Sequence, residues 1–222
     1  DGTLKQMRQR WNQDPENARM PDFPEPESPQ GTLTAGVVIG DLPFVTLRNG
    51  QLVGLDIELI RRFAAHEQLA LRVKDFDFGS LIPSLVSGKV DLISYGIYIT
   101  EERQKSIHFS APYMETLAVA VARRENIGAG QMAAVVPGGS APEHVSEARR
   151  SQSSPRPAGP ASEGLKALDG LAWGRIAVFN GTSQDFFVTQ SFPEAEILRF
   201  NSTADFILAV KTGKADAAIT DA

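Results

Sequence analysis

"FDFGSLIPSLVSGKVDLISYGIYITEERQKSIHFSAPY", residues 76–113, holds the strongest pattern in the chain. "GSLIPSLVSGKV" has the spacing of a short helix closed by Gly88, and "VDLISYG" follows as an apolar strand. Thr100 then stands as an N-cap ahead of Glu101 and Glu102. Acids suit a first helical turn, because the unpaired N–H groups and the macrodipole there are positive. Arg103 runs against that rule. Such a cation is either solvated surface charge or is aimed at something anionic.

On both sides of this stretch, strands and helices alternate. Upstream, "TAGVVIG" reads as a buried strand, Asn49-Gly50 as a turn between two short strands, and the segment from about Leu55 as a helix with Ile57, Ile60 and Ala64 on one stripe. "LALRVKDFD" is the next strand and "LAVAVARRE" a later one. From Ile127 to Gly164 the chain is rich in Pro, Gly, Ser and Ala, with too little apolar surface to offset the entropy of ordering it. Order resumes with "GRIAVFNGTSQDFFVTQSF", "AEILRF", "STADFILAVKTG" and "ADAAITD": strand, helix, strand, helix, strand. The pattern predicts an α/β fold with crossover connections, in two units separated by an unstructured insertion. Ahead of it all, residues 2–12 carry a helical stripe of Leu4, Met7 and Trp11, followed by a Pro-rich, acidic linker.

Composition narrows the function classes. With 222 residues there is room for one large or two small domains. A net charge of −5 and the lack of a basic stripe argue against nucleic acid as a partner. There are no cysteines, and His66, His108 and His144 lack ligand spacing, so no metal or other cofactor is expected. No apolar run approaches the ~18 residues of a membrane span. The chain opens on Asp1 without a signal-peptide pattern and reads as a processed or excised piece.

Two strand–turn–helix passages attract attention, "DLISYGIYITEER" and "RIAVFNGTSQDFF". In open α/β sheets, ligands gather at the carboxyl ends of strands, where helix N-termini offer free N–H groups. Gly96 and Gly181 let backbone approach a ligand there. A third strand, "DAAITD", ends in Asp221, opposite in sign to Arg103. A cleft with a cation on one wall and an anion on the other fits a small zwitterion, its carboxylate on Arg103 and its ammonium on Asp221. Asp91 and Asp216 read as turn-fixing acids.

These blocks, with "PFVTLRNGQLVGLDIELI" and "GKADAAITD", resemble the type II periplasmic solute-binding proteins of family 3, which bind polar amino acids. The resemblance covers roughly Gly36 to Asp221 apart from the insertion. It implies two lobes closing on a ligand, no catalytic residues, an extracytoplasmic address and a membrane permease as partner for ABC-type uptake. A ligand-sensing input domain of a signalling protein (a histidine kinase or cyclase) is the alternative, and a dehydratase on the same fold a more distant one. Residue by residue, it assigns ligand contacts to Gly96, Ile97, Tyr98 and Arg103, to Thr182, Ser183 and Gln184 in a second-lobe turn, and to Asp221. It places Phe44 and Phe78 on the apolar wall. Tyr98 departs from the Ser or Thr usual in the family, and the stretch before Pro43 lacks the common stacking aromatic.

The expected organisation is a helix at 1–13 like the one that ends such a domain, a linker at 14–32, lobe 1 at 33–122, a hinge exit and disordered insertion at 123–169, and an incomplete lobe 2 at 170–222. The misplaced helix fits either a tandem array or a circular permutation.

Overall fold

The computed structural model describes residues 2–116, 118–123, 126, 135–136 and 174–221. Most of the expected insertion, Ile127–Gly164, lies outside the described residues. The chain divides into two compact units: residues 1–97 with 106–114, and residues 98–105 with 115–222.

In the first unit, β1 (Thr32–Val37) is the centre of a parallel sheet ordered β4-β1-β5, with β4 at Ala70–Asp75 and β5 at Leu92–Ile93. Only two residues of "VDLISYG" count as strand. The ladder nonetheless runs further, since Asp91 N–H donates to Thr34 O and Ser94 N–H to Gly36 O. Asn49 and Gly50, both at positive φ, turn β2 (Thr46–Arg48) into β3 (Gln51–Val53). Helix α2 (Leu55–His66) then crosses back, laying Ile57, Ile60 and Ala64 on Leu33, Ala35 and Val37 as its stripe requires. Helix α3 (Phe78–Val86) makes the second crossover.

Helix α1 (Thr3–Gln13) belongs to this unit. Met7 and Trp11 are fully buried against Val53 and Leu55. The Glu58 carboxylate on α2, with no exposed surface, receives Arg10 at 2.6 Å, the Trp11 indole N–H at 2.7 Å and Arg62 at 2.8 Å. The Pro-rich segment after α1 forms no regular element, as its prolines dictate. It is not a loose linker, however. Arg48 binds the carbonyls of Pro15 and Ala18, Met20 packs on the core, and Phe23 lies 5.2 Å beneath the Arg62 guanidinium.

The second unit is built on a sheet ordered β7-β6-β10-β8-β9: β6 is Ala118–Ala122, β7 Val135–Val136, β8 Arg175–Phe179, β9 Glu196–Phe200 and β10 Ala217–Asp221. Strands β10, β8 and β9 run parallel, and β6 is antiparallel to β10. That pairing puts residues 118–122 in the second unit rather than in lobe 1, and the pairing of Val135–Val136 with β6 places a strand inside the expected insertion. Helix α5 (Ser183–Ser191) covers Ile176, Val178 and Ile219 with Val188, while α6 (Thr203–Lys211) covers Ala177 and Ala218 with Phe206 and Ala209. A helix on each face explains the unbroken apolar runs of β8 and β10. Between the two sequence blocks lies α4 (Glu101–Gln104), a single turn capped by the Thr100 hydroxyl, which accepts the Arg103 N–H.

Candidate functional site

The residues singled out in the sequence fall into both units, and each group is coherent within its own. Phe44, Phe78, Gly96 and Ile97 lie in the first. Tyr95 joins the two phenylalanines, its ring centroid 5.8 Å from Phe44 and 6.2 Å from Phe78. Gly96 sits at φ +55, and a Cβ there would lie 2.8 Å from the Phe44 ring, so a side chain is excluded both by backbone conformation and by space.

The Gly96 N–H is already used inside the unit. It donates to Asp56 Oδ2 and to the Tyr113 hydroxyl, each at 3.1 Å. Asp56, in the first turn of α2, has no exposed surface, and its Oδ1 is buried without a hydrogen-bond partner among the described residues. Burial pushes its pKa up to about 6, against the opposing effect of Tyr113, Ser94 and the Gly96 N–H. The same burial, with the Asp56 charge beside it, raises the Tyr113 phenol. Asp56 was not among the expected site residues. The available signal was its place four residues before Ile60, in line with the buried stripe of α2.

Tyr98, Arg103, Thr182, Ser183, Gln184 and Asp221 all lie in the second unit. Arg103 and Asp221, expected on opposite walls of a cleft, thus fall in the same unit. Within that unit the Arg103 Nη2 donates to Gly181 O at 3.4 Å and its Nη1 to Tyr98 O at 3.1 Å. Burial lowers the Arg103 pKa from its ordinary value, with Glu102 opposing.

The turn at Gly181, φ +74, starts α5. Thr182 is its N-cap, its hydroxyl accepting the Asp185 N–H at 3.3 Å and donating to Phe179 O at 2.7 Å. Asp185 closes the turn by accepting the Gly181 N–H at 3.0 Å and pairing with Arg199. Ser183 donates to the Gln184 Oε1, which leaves the Gln184 Nε2 to donate to Asp221 Oδ1 at 2.5 Å. The Tyr98 hydroxyl donates to the same oxygen, also at 2.5 Å. Asp221 keeps exposed surface, yet packing around the carboxylate raises its pKa by desolvation, which outweighs the two hydrogen bonds. Asp91 and Asp216 hold structure as expected: Asp91 accepts the Thr34 N–H, and Asp216 pairs with Arg175.

Residues 33–222 match the family described as bacterial extracellular solute-binding proteins, family 3. ABC transporter arginine-binding protein 1 of Escherichia coli (strain K12) is 25% identical over 180 residues, covering 81% of this chain and 58% of that protein. This chain thus spans less than two thirds of the curated relative. Among solved structures, the ancestral amino acid-binding protein AncCDT-1, a precursor of cyclohexadienyl dehydratase, is 26% identical with a TM-score of 0.64, covering 86% of this chain and 70% of that one. An ancestral arginine-binding protein bound to arginine is 26% identical with a TM-score of 0.63, covering 87% and 71%. No helix among the described residues is long and apolar enough to cross a membrane. With the family match spanning most of its length, the chain belongs to the bacterial extracellular solute-binding proteins, family 3.

Proposed function

We propose that this protein captures a small polar solute, an amino acid, outside the cytoplasm by the two-lobed closure that its sequence implies, and hands it to an ABC-type permease. One observation carries the reading. A guanidinium (Arg103) and a carboxylate (Asp221) are gathered in one compact unit, tied together through Tyr98, whose carbonyl meets the first and whose hydroxyl meets the second. Fixed charges of both signs match the two ends of a zwitterion. Ligand that engages the closed form better than the open one shifts the population toward it. The names of the relatives point the same way, toward arginine first.

The role is binding without chemistry. Isothermal titration against the twenty L-amino acids tests it. Micromolar binding of at least one, with the amino acid recovered unchanged, is the expected result, worth about −8 kcal/mol. A folded sample that gives no heat with any of them would reject it.

A further inference from the structure

The grip on Asp221 differs from the ion pairs described above, and from buried Asp56, because neutral donors hold a carboxylate that keeps exposed surface. Two neutral donors reach its Oδ1 from far apart in the chain: Tyr98 from the extended stretch before α4, Gln184 from the first turn of α5. The bonds described for this carboxylate both fall on Oδ1. A carboxylate offers about four acceptor positions over its two oxygens, so the arrangement orients the group from one side and leaves acceptor capacity on the other. Tyr98 is itself braced at both ends, because its carbonyl accepts from Arg103 Nη1 at 3.1 Å while its hydroxyl holds Asp221.

The other charged groups packed around β10 are engaged elsewhere. Asp185 on α5 pairs with Arg199, Arg175 on β8 pairs with Asp216, and Arg123 after β6 donates to Val210 O and Ala215 O. Lys214 lies over the Phe200 ring. On α6, Asp205 and Lys211 make no bond to Asp221 among the described residues. The phenol of Tyr98, raised by burial and by Asp221, stays protonated and therefore remains a donor throughout the neutral range.

We propose that Tyr98 is a positioning residue that sets the separation of Arg103 from Asp221 and presents Asp221 Oδ2 to a cationic group of the ligand, an ammonium or a guanidinium. This rests on the amino-acid reading above. A Ser or Thr at position 98, too short to span the same distance, would not tie the two charges together in this way. The tyrosine therefore favours ligands carrying a positive group at a fixed distance from a carboxylate over solutes without a positive group.

Tyr98→Phe keeps the ring and removes only the donor. Hydrogen bonds to an ionised carboxylate stabilise it. The variant should therefore raise the titration midpoint of the Asp221 carboxyl, followed by 13C NMR in the ligand-free protein, by about one pH unit. Affinity for L-arginine should fall about tenfold at pH 7, with a further loss on acidification that begins at higher pH than in the wild type. The urea midpoint should barely move. Gln184→Met, which removes the second donor, should shift the same midpoint in the same direction. An unmoved Asp221 midpoint in both variants would overturn the proposal, as would an affinity loss independent of pH that tracks a loss of stability. If the midpoint moves as expected while the wild-type protein binds none of the twenty L-amino acids, the positioning role stands and the amino-acid reading is what fails.

Discussion

Glu58 in the first unit and Asp221 in the second are both carboxylates held by converging donors, but the donors differ in kind. Glu58 is fully buried, and its partners are two arginines and an indole N–H. Burial raises its pKa, yet the bonds from Arg10, Trp11 and Arg62 outweigh burial and hold it below the ordinary value. Among the described residues Asp221 is bonded by neutral donors, and there desolvation wins, leaving its pKa raised. A charge neutralised by its own fold is spent on holding helices together. A charge oriented by neutral groups, where it also keeps exposed surface as Asp221 does, stays open to a cation from outside. On the function proposed above, the contrast separates a structural acid, Glu58, from a binding acid, Asp221.

The largest effect should come from breaking the structural acid. Glu58→Gln leaves Arg10 and Arg62 without their counter-charge and is expected to cost about 3 kcal/mol, read as a lowered urea midpoint. Affinity of the surviving folded protein should not change. Asp221→Asn should do the reverse, lowering amino-acid affinity about 100-fold while stability holds. Were Asp221→Asn to destabilise the protein as much as Glu58→Gln, the distinction between the two acids would be lost.

Glu58 also shows where sequence reading stops. The elements were legible because their signals are local: Gly88 ending α3, Thr100 capping α4, and the turn at Asn49-Gly50. The stripe on α1 was legible too, but not that Trp11 would bind an acid 47 residues away. The candidate residues 98, 103, 184 and 221 were proposed from motif resemblance, and the structure brings them together in one unit. Their mutual contacts were hidden, since Tyr98 and Asp221 lie 123 residues apart and nothing local encodes that meeting. For the same reason the segment Tyr98–Lys105 looked like part of the first lobe. It falls in the second unit, where Arg103 reaches Gly181 and Tyr98 reaches Asp221, and its own pattern does not encode those contacts.

Asp56 sharpens the contrast from a third side, as a buried acid with neither cations nor a full set of neutral donors. Its folded pKa of about 6 lies above the ordinary 3.8, so the ionised form is penalised by the fold. The sign follows directly. Stability from this group is greatest below the unfolded pKa, falls as pH rises between the two values, and stays low above about 6. On acidification from about pH 8 to 5, wild-type protein should gain about 1–1.5 kcal/mol relative to Asp56→Asn. Urea midpoints of the two proteins at each pH decide it, and parallel curves would mean that the orphaned oxygen carries no charge penalty.

The smallest effect concerns the local geometry beneath Asp221. Thr182 caps α5 and thereby fixes the first turn from which Gln184 reaches Asp221. Removing the cap in Thr182→Ala should cost about 1 kcal/mol of stability. If the neutral grip on Asp221 governs binding, a few-fold loss of affinity should accompany that loss, because a loosened first turn no longer holds the Gln184 amide in place. Thr100→Ala removes the corresponding cap on α4, the turn that carries Arg103. The two variants make matched probes, one beneath the anion and one beneath the cation. Equal affinity losses would mean that both charges contribute to the site through their helix starts. A loss confined to Thr182→Ala would place the sensitivity in the carboxylate and its donors alone, as the proposed contrast with Glu58 predicts.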